Sequence, residues 1–202
     1  MGHAGCSLKR MAQAPASEGK STEAVAHLVS MLRDFSEATL LTRSRSGSLH
    51  GRPMSIAQVD DNVTIWFITS AASAKVDEVA DDARATVVLQ SASRFACING
   101  NAELVFAPER IRALWRDSYR IWFDGEADPE LVVVRFNAFD AEYWDKSGVQ
   151  GLKQVLQLAR AYVTGSKLEQ KPERQNDPAS HAKLKLWDPG ERIDPTDLDR
   201  TG

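Results

Sequence analysis

The residues best suited to chemistry are cations and hydroxyls around one predicted strand–loop–helix corner. Arg52 lies on a predicted strand, and Ser73 and Lys75 lie where a Ser/Ala loop enters a short predicted helix. The first backbone N–H groups of a helix have no partner inside it, and the helix dipole places partial positive charge there. A cation in the first turn is therefore disfavoured unless an anion is bound. The corner predicts a binding site for a phosphate group.

Each of these residues also has a purely structural interpretation. Arg52 could pair with an acid such as Asp60 or Asp61, and Lys75 could be a solvated lysine. No side chain is an evident general acid or base, and no nucleophile motif supports Ser-His-Asp catalysis. The four histidines have no ligand-like spacing, so we expect no metal site. We therefore name no catalytic residue.

Composition narrows the classes of function. The chain has 202 residues, of which 43% are hydrophobic, which is enough for one domain with a sizeable core. Its net charge of −3 lacks the basic excess that nucleic-acid binding favours. No stretch approaches the roughly 20 apolar residues of a membrane span, and the first part of the chain shows no signal peptide. We expect a cytoplasmic protein that binds neither nucleic acid nor membranes.

The predicted elements are short strands with helices between some of them. Strands are predicted over residues 38–44, 51–59, 63–69, 85–90, 94–106 and, as one bent strand or two, 131–136 and 138–144. Helices are predicted over residues 21–35, 73–82, 108–119 and 149–163, the first with Ser21 or Thr22 as its cap. On the second helix, Asp77, Glu78 and the two acids that follow are expected to face solvent.

Helices between some of the strands leave a βαβ arrangement open. Against it, several strand-to-strand links are of hairpin length and cannot make parallel crossovers, which favours a small antiparallel barrel. The Asn-Gly-Asn sequence at 99–101 lies inside a predicted strand and indicates a bulge or a sharp bend. Residues 1–20 are predicted to be a disordered tail, residues 21–164 the domain, and residues 165–202 a polar, proline-containing tail. That tail is expected to dock at most through residues 184–187.

Three segments resemble the FMN-binding split-barrel superfamily of pyridoxamine 5′-phosphate oxidase, specifically its general stress protein branch. The first segment is RPMS at 52–55 with IWFITS at 65–70 and SAK at 73–75. The second is INGNAELV at 98–105, and the third is WFDGEADPEL at 122–131 with AEYWD at 141–145. The resemblance covers roughly residues 22–163. It implies a mainly β fold with flanking helices, namely a six-stranded antiparallel Greek-key split β-barrel, and a homodimer with FMN in clefts between the subunits.

The resemblance also implies a set of cofactor-binding residues. They are Arg52, Pro53, Met54, Ser55, Phe67, Ile68, Thr69, Ser73, Lys75, Gln90 and Trp144. Residues 52–55 and 67–69 match two strands that lie along the flavin. Arg52, Ser73 and Lys75 match the residues that hold the phosphate, and Gln90 matches a polar group at the ring edge. Trp144 matches an aromatic residue that packs near the flavin from the partner subunit.

The sequence departs from the vitamin B6 oxidase itself at three places. Ala57 stands where that enzyme has a lysine, Ala74 stands where it has the second arginine of its phosphate clamp, and its C-terminal substrate signature has no counterpart. We therefore do not expect pyridoxamine phosphate oxidase activity, and the phosphate clamp is weakened.

Three functions stay open from the sequence. The first is a stress-related oxidoreductase that uses bound FMN and a nicotinamide electron donor. The second is a flavin-binding or stress-sensing module without turnover. The third is a deazaflavin-dependent reductase in the same barrel, because the phosphate corner would also serve a deazaflavin.

Overall fold

The structure is a computed structural model, and it describes residues 16–147 and 180–186. The helices within these residues are α1 (Ala16–Arg33), α2 (Ala74–Asp81), α3 (Pro108–Leu114) and the 3-10 helix Asp117–Ile121. The strands are β1 (Glu37–Arg43), β2 (Leu49–Val59), β3 (Thr64–Ser70), β4 (Arg84–Gln90), β5 (Arg94–Val105), β6 (Leu131–Asp145) and β7 (His181–Lys185). None of these helices is both long and apolar enough to cross a membrane.

Six of the strands form a closed antiparallel barrel. Their order is β3-β2-β1-β4-β5-β6, and β3 pairs with β6 to close the sheet on itself. Strands β1, β2 and β3 are joined by hairpin links, and β4 returns after α2 to pair with β1, which is a Greek-key connection. The predicted fold class, a six-stranded antiparallel Greek-key split β-barrel with flanking helices, is therefore confirmed.

Alternate side chains of the strands fill the barrel, because successive strand residues point to opposite faces. The interior includes Leu40, Phe67, Val87, Ile98 and Phe136. Helix α1 packs Leu28 and Leu32 against this core, and both side chains are fully buried. Helix α3 covers the outer face of β3, where Trp66 and Ile68 share a second apolar cluster with Ile111. The two helices therefore enclose different parts of the same barrel.

A different part of the outer sheet face stays open in the chain. One row of paired residues runs across β2, β1, β4 and β5 through Pro53, Thr39, Val88 and Cys97. None of these four outward-facing residues is buried. This row lies beside the positions at which the sequence predicts ligand contacts, so its exposure matters for the site.

The bulge predicted near residues 99–101 is present. The register between β5 and β6 shifts between Asn99 and Gly100, and β6 is one long bent strand. A Cβ atom at Gly100 would lie 2.4 Å from the carbonyl oxygen of Asn137 and 2.5 Å from the ring of Phe136. Glycine is needed here because the two strands approach too closely for any side chain.

Two predicted helix boundaries were wrong. Helix α1 begins at Ala16, so Ser21 and Thr22 lie inside it and neither is a cap. Once a helix is nucleated, each added residue gains a hydrogen bond at little cost, so it extends into a segment that the sequence suggests is a tail. The third helix ends at Leu114 because Trp115 and Arg116 have extended backbones, with ψ of 139° and 143°.

The C-terminal segment contributes a seventh strand that the sequence did not predict. Strand β7 pairs with Asp140–Trp144 at the far edge of β6, outside the closed barrel. Its Ala182 and Leu184 are buried against the core, which explains the docking expected at 184–187. The helix predicted over 149–163 lies outside the described residues, as do Trp187 and the rest of both predicted tails.

Candidate functional site

The end of β3, the loop after it and the start of α2 bring three predicted site residues together. Lys75 Nζ donates hydrogen bonds to Thr69 Oγ1 at 2.9 Å and to Ser73 Oγ at 2.6 Å. Ser73 occupies the N-cap position of α2 with extended backbone angles, but its side chain makes no capping hydrogen bond. The Ser73 side chain therefore does not cap the first N–H groups of α2, which is an arrangement an anion can use.

Lys75 is a cation without a carboxylate partner among the described residues; its hydrogen bonds go to two hydroxyl groups. Partial burial lowers the pKa of Lys75, and repulsion by the nearby Arg52 lowers it further, against an opposing effect of Glu78. An anion placed here would relieve both costs, because it would supply the missing opposite charge.

Arg52 lies beside this corner but is already paired. Its guanidinium donates to Glu78 through both terminal nitrogens, at 2.8 Å and 3.0 Å, and to Thr42 Oγ1 at 3.0 Å. The sequence suggested Asp60 or Asp61 as a structural partner of Arg52. In the structure its partner is Glu78. Whether Arg52 also contacts a phosphate stays a prediction.

Glu78 is the residue that sequence reasoning missed, and its predicted solvent-facing position was wrong. The residue is 9% exposed and also accepts a hydrogen bond from Thr42 at 2.5 Å, while His50 Nδ1 lies 2.7 Å from it. The hydrogen bond from Arg52 lowers the pKa of Glu78 to about 2; burial opposes this, and the bonds from Thr42 and His50 add to it. A signal was available, because Glu78 follows Lys75 by three helical positions and so shares its face.

The strand residues assigned to the flavin divide between two faces. Met54 and Phe67 point into the barrel core and are buried, and Ile68 packs under α3, so these side chains are not available to a ligand. Pro53 is exposed and Ser55 is half-buried on the outer face. A ligand along these strands would therefore meet main-chain groups at these three positions, and Thr69 is buried as well.

Gln90 and Trp144 lie together in a second place, a cleft of about 440 Å³ at the β4–β5 turn that Arg94 and Phe95 also line. The Trp144 ring is held between Phe95, with centroids 5.5 Å apart, and His181 of β7, stacked at 4.8 Å. His181 was not predicted as a neighbour, because β7 was not predicted.

The two groups of predicted residues are separate within one chain. Arg52 pairs with Leu40, which pairs with Val87, and Gln90 lies three residues beyond Val87 on β4. At about 3.3 Å per strand residue, this is about 10 Å along the sheet. Arg52 lies on the inward face of β2, whereas Gln90 lies on the outward face of β4. One chain therefore does not bring Gln90 and Trp144 to the corner of Thr69, Ser73 and Lys75.

A third cleft, of about 620 Å³, lies between the ends of α1 and α3 and holds none of the predicted residues. Its arginines already bind the bulged part of β2: Arg33 donates to the Val59 carbonyl at 3.0 Å, and Arg116 donates to the Ala57 carbonyl. These contacts stabilise the bulge, so this cleft is not a candidate for the predicted ligand.

Comparisons with known proteins agree with this fold. A family model described as pyridoxamine 5′-phosphate oxidase like matches residues 23–169. Among curated proteins, no match to the chain was found.

Three solved structures illustrate the similarity. A protein assigned as general stress protein 26 from Jannaschia sp. CCS1 is 22% identical, with a TM-score of 0.61 over 82% of this chain and 99% of its own. A protein related to general stress protein 26 from Clostridium acetobutylicum is 15% identical, with a TM-score of 0.56 over 61% and 89%. At these identities the two show the fold alone. The general stress FMN/FAD binding protein from Xanthomonas citri is 25% identical, with a TM-score of 0.50 over 65% and 92%.

The Arg52–Glu78 pair predicts a specific sensitivity to acid. The ordinary pKa of a glutamate is 4.5, and that of Glu78 is about 2 in the folded protein, so the unfolded chain binds this proton more readily. The stabilisation is present above pH 4.5 and is lost as the pH falls toward 2. Urea unfolding measured at pH 6 and at pH 3 gives the free energy of unfolding that each protein loses between the two. We expect Glu78→Gln to lose about 1–2 kcal/mol less than the wild type.

The matched control is Asp81→Asn, which removes a carboxyl from the same helix. Asp81 pairs at the surface with Arg45, where solvent screens the interaction. This variant should keep most of the wild-type acid sensitivity. Equal acid sensitivity of Glu78→Gln and wild type would contradict the prediction.

Proposed function

Because the chain belongs to the pyridoxamine 5′-phosphate oxidase-like family, we propose that it binds a flavin nucleotide, FMN, with the phosphate at the corner of Thr69, Ser73 and Lys75. The observation that carries the proposal is Lys75, a half-buried cation that two hydroxyl groups hold at an uncapped helix start. A half-buried cation without a carboxylate in direct contact is costly, and hydroxyl, ammonium and helix N–H donors together suit a phosphate.

The likeness to the Xanthomonas citri protein supports a flavin as the ligand class, since that protein is named as an FMN/FAD binding protein. The donors present at the corner fit a phosphate ester. Lys75 supplies charge, the Ser73 hydroxyl has its own proton left to donate, and Arg52 retains donors that Glu78 does not use. Strands β2 and β3 pair with each other only over residues 56–59 and 65–67, so main-chain groups before residue 56 and after residue 67 on their facing edges are left for a polar ring.

Bound flavin would supply hydride and electron-transfer chemistry, and the chain's own residues would bind and orient it. In this proposal Lys75 and Ser73 hold the phosphate, while the backbone of residues 52–55 and 67–69 lies along the ring. We assign no general acid or base among the described residues. In this proposal the protein acts as a stress-related oxidoreductase with a nicotinamide electron donor. Its cytoplasmic location stays a prediction.

Turnover separates this proposal from its alternatives. Steady-state oxidation of a reduced nicotinamide by the flavin-loaded protein would support the oxidoreductase. A tightly held flavin that is never reduced would instead support the binding or sensing module. Preference for a deazaflavin over FMN in the same assay would keep the site and change the cofactor.

The proposal includes a homodimer, because one chain leaves its predicted site residues in two places. Gln90 and Trp144 lie away from the Lys75 corner, on the outward face of the sheet. The open row through Pro53, Thr39 and Val88 lies on that same outward face. A two-fold partner packed on this face would carry its Trp144 cleft toward the corner of the first chain.

Removal of both cations should abolish flavin retention. The variant combining Arg52→Ala with Lys75→Ala should bind FMN at least about 100-fold more weakly, because the phosphate would face no positive side chain. Gel filtration should then separate FMN from the protein. Circular dichroism should stay unchanged. The control combines Arg120→Ala with Lys183→Ala, which removes two exposed cations elsewhere and should retain FMN. Wild-type retention by the double corner variant would show that the phosphate lies elsewhere.

Light scattering coupled to size exclusion tests the dimer. We expect a mass of twice the 22.3 kDa of one chain. Replacing Val88 with Arg should shift the protein toward the monomer, because like charges would meet across the interface. The matched change Ile121→Arg, at an exposed position outside the sheet, should leave the mass unchanged. A wild-type mass of 22.3 kDa would rule out a cleft between subunits.

A further inference from the structure

A hydrogen-bonded network lies beside the Lys75 corner. It joins Arg52 of β2, Thr42 of β1 and Glu78 of α2. We propose that Glu78 and Thr42 are positioning residues, which hold the Arg52 guanidinium by one edge and keep its other edge ready for the phosphate of the flavin. The proposal rests on the proposed function, since it concerns the ligand of the same corner. It gives a role to two residues that the sequence did not connect with the ligand.

The hydrogen bonds of Arg52 divide its five N–H donors into two groups. Nη1 donates to Glu78 Oε2 at 2.8 Å and to Thr42 Oγ1 at 3.0 Å, and Nη2 donates to Glu78 Oε1 at 3.0 Å. The two donors that remain are Nε–H and one hydrogen of Nη2, which lie side by side on one edge of the planar group. No residue that the structure describes accepts from this edge. Such a pair of donors suits a bidentate contact with two oxygens of one phosphate.

The network is in place before any ligand binds. Thr42 is fully buried and donates to Glu78 at 2.5 Å, and Glu78 is 9% exposed. The hydrogen bond from Arg52 holds the pKa of Glu78 at about 2 against the effect of burial, so its carboxylate is ionised at neutral pH. A free arginine side chain samples many rotamers, and ordering it on binding weakens the affinity for a ligand. A guanidinium that is ordered on folding avoids this loss.

Arg52 is close enough to the corner to interact with Lys75. Burial is the main effect that lowers the pKa of Lys75, and the charge of Arg52 lowers it further. Two cations that repel each other in this way would both be stabilised by one anion in contact with them. The Arg52 side chain is 25% exposed, so it is not sealed from solvent. A phosphate at Lys75 therefore has a second, already oriented cation nearby.

Glu78 has a second effect, because its own negative charge repels a phosphate. Removing the carboxylate would change two things at once: the repulsion would fall, and Arg52 would lose its anchor. A variant that keeps the charge and shortens the side chain separates these effects. Glu78→Asp is that variant, since its carboxylate lies one methylene group nearer to the helix and is expected not to reach both nitrogens of Arg52.

The experiment compares the dissociation constants of FMN and riboflavin for the full chain, because the two ligands differ only by the phosphate. Their ratio reports how much the phosphate contributes to binding. Glu78→Asp should weaken FMN binding by about ten-fold and leave riboflavin binding unchanged, because the charge-assisted contact with the phosphate is lost. The control Asp81→Glu also changes a carboxylate of α2 by one methylene group, in a surface ion pair with Arg45, and should keep the wild-type ratio.

A double-mutant cycle tests whether Glu78 acts through Arg52. Arg52→Lys keeps the positive charge and removes the planar fork, so it should also lower the phosphate contribution by about ten-fold. Adding Glu78→Asp to Arg52→Lys should then lower it by less than about two-fold more, because no fork is left to position. An equal loss from Glu78→Asp in both backgrounds would show that Glu78 acts independently of Arg52 and would overturn the proposal.

Thr42→Val covers the case in which Glu78→Asp does not fold. Valine has nearly the shape of threonine and changes no charge, but it removes one hydrogen bond from Arg52 and one from Glu78. The phosphate contribution should fall by about three-fold. The control Thr64→Val removes a hydroxyl from another buried strand position, on β3, and should keep the wild-type ratio.

Three results would count against the proposal. A wild-type ratio in Glu78→Asp, or in Thr42→Val where Glu78→Asp does not fold, would overturn it and leave the flavin site intact. Equal losses of FMN and riboflavin affinity would also overturn it, because a pair that only attaches α2 to the sheet would act on both ligands alike. If the wild type binds riboflavin as tightly as FMN, the phosphate is not held at the corner. If it binds neither, the proposed function falls as well.

Discussion

The pairing of β3 with β6 is the constraint on which the candidate site depends. It closes the barrel, and it continues to the last residue of β3, where Ser70 pairs with Leu131. Just beyond it, the Ala71 backbone N–H donates to the Glu130 carbonyl at 2.7 Å, which fixes the start of the loop into α2. Thr69 at this strand end and Lys75 in the first turn of α2 are thereby held within hydrogen-bond distance. Loss of the closing pair would free the loop and disperse the donors.

The corner combines one unpaired cation with one paired cation, and this division determines its chemistry. Lys75 has hydroxyl partners only, whereas Arg52 is bound by both oxygens of Glu78. A buried ion pair contributes little net stability because desolvation offsets the attraction, so its stronger effect is on which charges the site presents. The corner therefore presents less positive charge than its two cations suggest.

Local patterns in the sequence predicted the barrel well. Turn chemistry and alternation located all six barrel strands, and the glycine in 99–101 indicated the bulge that Gly100 makes possible. What they could not predict depends on contacts distant in sequence. Strand β7 is only five residues long and forms because β6 offers an edge, and Glu78 is buried because Arg52 and Thr42 reach it from other strands. The placement of Gln90 and Trp144 apart from Lys75 also needed the register of several strands.

The most direct test of flavin binding is the visible absorption spectrum of the purified protein after addition of FMN and gel filtration. The account predicts that the bands of oxidised flavin elute with the protein and leave it only on denaturation. A protein that elutes colourless after incubation with FMN, and again after incubation with FAD, would contradict flavin binding. The barrel and its Lys75 corner would then need another phosphate-bearing ligand.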